Sequence, residues 1–99
     1  MEKKKAHYLL EEVKALIANG SVRATRSALA GASALGFSFK EMLEIVTDLE
    51  ARDFYKSMTT HNDNKIWQDV YHFPTKAERD IYIKLSVVDK VLIVSFKAK

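Results

Sequence analysis

The chain reads as an α+β protein, with N-terminal helices packed on one face of a C-terminal antiparallel sheet. Two observations lead there. Helical spacing of apolar residues dominates as far as Asp53, and after Asp53 the apolar residues alternate with polar ones. The 99 residues leave room for one core only, so residues 1–99 are expected to form one domain.

Leu9, Leu10, Val13, Leu16 and Ile17 form the stripe of a first helix, which Asn19-Gly20 should end. Ser21 to Ala24 reads as extended. Thr25 or Ser27 can cap a second helix carrying Ala28, Leu29, Ala32 and Leu35, stopped at Gly36. Its alanines and Gly31 imply a close approach to a neighbouring element. Ser38 and Glu41 have capping-box spacing, and Phe39, Met42, Leu43, Val46 and Leu49 give the third helix its apolar stripe.

A strand from Phe54 to Thr60 leads through the turn-rich His61-Asn62-Asp63-Asn64 to a second from Ile66 to His72. A loop from Phe73 to Arg79 contains Pro74. Two strands follow. In the first, Ile81, Ile83, Leu85 and Val87 alternate with Tyr82, Lys84, Ser86 and Val88. In the second, Leu92, Val94 and Phe96 alternate with Val91, Ile93, Ser95 and Lys97. If Asp89-Lys90 is a two-residue turn, Val88 pairs with Val91, Ser86 with Ile93, Lys84 with Ser95 and Tyr82 with Lys97. The sheet then has an apolar face carrying Leu92, Val94 and Phe96, and a basic, hydroxyl-bearing face carrying Tyr82, Lys84, Ser95 and Lys97. Simple solvation of that second face is the ordinary reading, since antiparallel sheets commonly leave one side wet.

Composition narrows the function. There is no cysteine, which excludes disulfides and thiolate metal sites. His7, His61 and His72 lack the spacing of a zinc cluster, so no metal and no small-molecule cofactor are expected. The basic start is not followed by a secretory apolar region, and no apolar run is long enough to span a bilayer. A soluble, cytoplasmic protein is expected, with no membrane partner. A formal charge of +3 is compatible with a polyanionic ligand without requiring one.

The segments Asp53-Phe-Tyr-Lys-Ser-Met-Thr-Thr60 and Ile66-Trp-Gln-Asp-Val-Tyr71 resemble those of the motility quorum-sensing regulator toxins. The resemblance extends through Val22-Arg-Ala-Thr-Arg-Ser-Ala-Leu29, Tyr82-Ile-Lys84 and Val91-Leu-Ile-Val-Ser-Phe-Lys97, so it covers nearly the whole chain. It implies a RelE-like fold and a metal-independent, sequence-selective endoribonuclease. Such an enzyme cuts mRNA at short G-C-containing sites without the ribosome, and a cognate antitoxin silences it. The family's active-site residues fall on Lys56, Gln68, Tyr82 and Lys97. Hairpin counting, which makes no use of the family, sets the last two opposite each other.

Cleavage without a metal uses the RNA's own 2′-hydroxyl as nucleophile, so the site must accept one proton, donate another and stabilise phosphorane charge. Lys56 is assigned to the scissile phosphate, or to the base if its pKa is depressed. Tyr82 is assigned to proton donation, Lys97 to phosphorane charge, and Gln68 to the 2′-hydroxyl or a base edge. His72 stands where the resembling sequences carry arginine; it lies on the same strand face as Gln68 and could share proton transfer, an imidazole being the one group here whose ordinary pKa suits neutral pH. His72, Lys84, Arg23 and Arg26 are expected to contact substrate, with plain solvation the alternative for the two arginines; Tyr55, Trp67 and Tyr71 are candidate base-stacking rings, with buried packing the stronger reading for Trp67.

Each assignment has a plain alternative: an edge-strand lysine, a cross-strand packing tyrosine, a surface glutamine or histidine. Two other functions fit the same basic face, a non-catalytic nucleic-acid-binding regulator and a ribosome-dependent nuclease. The shared site also constrains the β-hairpin. Lys56 and Gln68 lie on one face only if the connection between their strands has odd length or a β-bulge intervenes.

Overall fold

The structure is a computed structural model that describes residues 1–60, 65–75 and 79–99. Three helices, α1 (Leu10–Ala18), α2 (Arg26–Ala34) and α3 (Phe39–Thr47), cover one face of a sheet. The sheet is built from β1 (Glu2–Lys3), β2 (Val22–Ala24), β3 (Phe54–Thr59), β4 (Trp67–Phe73), β5 (Ile81–Val88) and β6 (Lys90–Ala98). Its six strands run in the order β1-β3-β4-β5-β6-β2. Among the described residues no helix is long and apolar enough to cross a membrane.

The helix boundaries follow local chemistry. At Gly20, with φ +85°, Ser21 N–H donates to Leu16 O (2.8 Å) and Gly20 N–H to Ile17 O (3.0 Å), a Schellman end that satisfies carbonyls α1 would leave open. Thr25, not Ser27, caps α2, accepting from Ala28 N–H at 3.0 Å. Both halves of the Ser38/Glu41 box form, at 3.0 and 3.2 Å. Phe39 departs from the expected stripe of α3: it is exposed, while Met42, Val46 and Leu49 are buried.

The core lies between the helices and one sheet face, where Tyr71, Ile81, Ile83, Leu85, Val91, Ile93 and Phe96 meet Val13, Ala28, Ala32, Met42 and Val46. Gly31 sits directly on β6. A Cβ there would lie 1.8 Å from Phe96 O, so the expected close approach is made backbone to backbone.

Three features differ from the sequence reading. The sheet is neither wholly C-terminal nor wholly antiparallel. β1 pairs with β3 through Glu2↔Met58 and Lys3↔Ser57, and β2 runs parallel to β6. The β5–β6 turn is tighter than expected: Asp89 takes φ +66°, and the pairs become Val88↔Lys90, Val87↔Val91, Ser86↔Leu92 and Leu85↔Ile93. A bulge at Val94 then returns the strands to Lys84↔Ser95 and Tyr82↔Lys97. Val91 and Ile93 therefore fill the core places expected of Leu92 and Val94, whereas the two pairs nearest the basic face are those expected. The turn cluster His61–Asn64 and residues 76–78 of the following loop lie outside the described residues.

Candidate active site

Residues directly opposite across antiparallel strands share a face, so pairing assigns the side chains. One cross-strand row on the face away from the helices runs Lys56–Val70–Lys84–Ser95, and the next runs His72–Tyr82–Lys97. Gln68 pairs with Met58, two residues along from Val70 and Lys56, and so lies on this face too. The structure thus brings Lys56, Gln68, His72, Tyr82, Lys84 and Lys97 onto one surface. The register that achieves this, Thr59↔Trp67, encloses residues 60–66, an odd number as the shared face requires.

A bulge is present as well, between Phe54 and Lys56, ahead of the paired segment that joins Lys56 to Gln68. It turns Tyr55 onto the outer face, where its ring stacks on His72 with centroids 4.4 Å apart. Phe54, just before the bulge, stays on the core side against Tyr71 at 5.6 Å. His72 also approaches Tyr82 at 6.0 Å, and Lys97 Nζ stands 5.2 Å from the Tyr82 ring centroid. Lys4 Nζ stands 5.0 Å from the Tyr55 ring centroid, so aromatic rings and lysines are interleaved on this surface, an arrangement suited to bases and phosphates together.

The other candidates are placed differently. Trp67 is on the helix side, stacked under His7 at 5.5 Å with Lys3 Nζ 4.1 Å from its ring centroid. Tyr71 is core, 2% exposed, and burial pushes its phenol up to about 12. Neither is available to stack on bases at the outer face. Arg23 is on the outer face at the far edge, paired with Leu92, and helps line an open cleft of ≈540 Å³ with Ser86, Val88 and Lys90. Arg26 is the exposed first residue of α2.

The electrostatics sort the roles. Lys56 is raised above the usual lysine range, chiefly by its hydrogen bond to Glu2, so the base role that needs a depressed pKa is not supported and Lys56 is a firm cation. Lys84 is lowered, first by burial and then by the charges of Lys97 and Lys56, so positive charge is concentrated on this face. Burial raises the Tyr82 phenol, opposed by Lys56, so it holds its proton at neutral pH. Burial and the charge of Lys99 lower His72, with Asp80 opposing, which leaves a neutral imidazole able to accept a proton.

Sequence reasoning missed Asp69. It is fully buried on the helix side and accepts from Ser57 Oγ (2.6 Å) and from the backbone N–H of His7 (3.1 Å) and Tyr8 (3.0 Å). Tyr8 OH donates to Trp67 O at 2.7 Å. The N-terminal segment is thereby fastened beside β3, the strand that carries Lys56.

Comparison with known proteins places the chain in a family. The model of the family described as "Motility quorum-sensing regulator, toxin of MqsA" matches residues 5–98. The chain belongs to this family. A curated relative from Escherichia coli (strain K12), mRNA interferase toxin MqsR, is 50% identical over 99 residues, covering 100% of both chains.

Proposed function

We propose that this member of the family is an mRNA interferase toxin: a metal-independent, sequence-selective endoribonuclease that cuts mRNA at short G-C-containing sites. It acts in the cytoplasm and is held inactive by a cognate antitoxin protein. The family's description as the toxin of MqsA and the relative's name as an mRNA interferase toxin support the toxin and nuclease parts of this reading. The observation that carries the chemistry is the row His72–Tyr82–Lys97, a neutral imidazole, a protonated phenol and a cation side by side.

The reaction balances on these groups. His72 takes the proton of the RNA 2′-hydroxyl, and the 2′-oxygen forms a bond to the adjacent phosphorus. The P–O5′ bond breaks as Tyr82 delivers its proton to the departing 5′-oxygen, leaving a 2′,3′-cyclic phosphate and a 5′-hydroxyl end. Lys56 and Lys97 hold the charge that gathers on the phosphorane oxygens, and Lys84 neutralises a flanking phosphate. Gln68, with both donor and acceptor, orients the 2′-hydroxyl or reads a base edge. Arg23 and Arg26 contact backbone further along the strand.

The test is cleavage of naked RNA by Lys56→Ala and Tyr82→Phe. Each is expected to lose at least about a hundredfold in rate, the scale of one positioned acid or electrostatic group, with an unchanged circular dichroism spectrum. Full-rate cleavage by a folded variant would remove that residue from the mechanism. Tight RNA binding without cleavage by the wild type would make the protein a binding regulator instead.

A further inference from the structure

Of the strand lysines Lys56, Lys84 and Lys97 on the outer face, only Lys56 has, among the described residues, a carboxylate within ion-pair distance, and Lys4 Nζ stands nearby, 5.0 Å from the Tyr55 ring centroid. The partner is Glu2, whose Oε2 stands 2.9 Å from Lys56 Nζ. It comes from the short edge strand β1: the pairing Glu2↔Met58 sets Glu2 on the outer face, diagonal to Lys56. That strand is held at both ends. Thr59 N–H donates to Met1 O at 3.0 Å, and beyond Lys3 the backbone of His7 and Tyr8 is fixed on the buried carboxylate of Asp69. The backbone of Glu2 is therefore placed by the fold.

Its side chain is freer. The Glu2 side chain is 55% exposed against 20% for Lys56, so the carboxylate can swing to solvent while the ammonium stays on the sheet. Lys56 holds Glu2 below the usual carboxylate range, which keeps the pair ionised at neutral pH. A carboxylate oxygen on a lysine ammonium occupies the place a phosphate oxygen would take.

We infer that Glu2 is an electrostatic gate on the RNA-cleaving site: it is the counter-ion of Lys56 in the RNA-free enzyme, and a substrate phosphate must displace it to reach that lysine. The inference rests on the reading of this face as the RNA site. Glu2 then lowers the affinity of this face for a phosphate backbone. A carboxylate left beside the bound phosphate repels it, and that repulsion is screened by salt.

The experiment measures binding of a short single-stranded 2′-O-methyl RNA, which lacks the nucleophile, to wild type, Glu2→Gln and Lys97→Ala at low and moderate salt. Glu2→Gln is expected to bind roughly three- to tenfold tighter at low salt, the order of one nearby charge on a phosphate, with the gap closing as salt rises. Cleavage of the unmodified RNA should show the change in KM. Lys97→Ala is expected to bind more weakly. If Lys97→Ala weakens binding while Glu2→Gln binds no tighter than wild type, the role of Glu2 is overturned and the site reading stands. If neither substitution changes binding, RNA does not use this face, and both fall.

Discussion

Replacing Gly31 with alanine sets two effects of opposite sign against each other. In an exposed helix the change would stabilise by about 1 kcal/mol, because alanine is the best helix former and glycine among the worst. Here the new methyl would lie 1.8 Å from Phe96 O and must retreat to at least 3.0 Å, a shift of about 1.2 Å. Both partners are backbone, so no side chain can swing aside. Helix α2 would have to lift from β6 and loosen the seating of Ala28 and Ala32, both now buried in the core. Overpacking of this kind costs about 1–3 kcal/mol and sometimes more, and the opened contact adds lost dispersion. A net loss of about 2 kcal/mol is expected, lowering Tm by roughly 8–16 °C for a domain of this size. Urea and thermal unfolding followed by circular dichroism measure it. Lys97 follows Phe96, and its Cα is 3.7 Å from where the new methyl would sit, so RNA cleavage should fall even where the variant stays folded. A Gly31→Ala protein as stable as wild type would refute the close approach and the packing built on it.

Asp69→Ala leaves two backbone N–H groups and the Ser57 hydroxyl without their buried acceptor, and should cost about 3–5 kcal/mol in urea unfolding; Asp69→Asn, which keeps one acceptor oxygen, should lose less. Because the folded value of His72 lies below its ordinary 6.5, the folded protein binds fewer protons than the unfolded chain in that range. Stability should therefore rise with pH through it and fall as pH drops below about 6.5. The acid limb of the cleavage profile should disappear in His72→Gln, and superimposable profiles would make the histidine a bystander. RNA affinity should fall with salt with a slope near −0.7 per neutralised phosphate, and Lys97→Ala should reduce the slope by about that amount; an unchanged slope would take Lys97 off the backbone.

The helices were legible because their signals are local. Gly20, Ser38 and Glu41 act within one turn of chain and do as expected. The basic face was legible for a mixed reason. The pairs Tyr82↔Lys97 and Lys84↔Ser95 are as counted, but a tighter turn at Asp89 and the bulge at Val94 compensate for each other on the way. Val91-Leu-Ile-Val94 is apolar at every position, so alternation could not say which pair turns inward. The shared face of Lys56 and Gln68 comes from the odd number of residues enclosed by Thr59↔Trp67, whereas the bulge that moves Tyr55 beside His72 lies before Lys56 and had no marker in its own residues. Strand β1 is too short for any periodicity, and its anchor Asp69 lies about 60 residues away in sequence. The Glu2–Lys56 pair was hidden for the same reason: only the long-range pairing of β1 brings it together.

The central claim is that side chains on the outer face cut RNA through its own 2′-hydroxyl. The most direct measurement is end-group analysis, by mass spectrometry, of naked mRNA incubated with the purified protein in EDTA. The predicted result is cuts at short G-C-containing sites that leave a 2′,3′-cyclic phosphate and a 5′-hydroxyl, and no cut where the scissile nucleotide is 2′-deoxy. Cleavage leaving 5′-phosphate ends, persisting at a 2′-deoxy site, or appearing only with a divalent metal or ribosomes would contradict it.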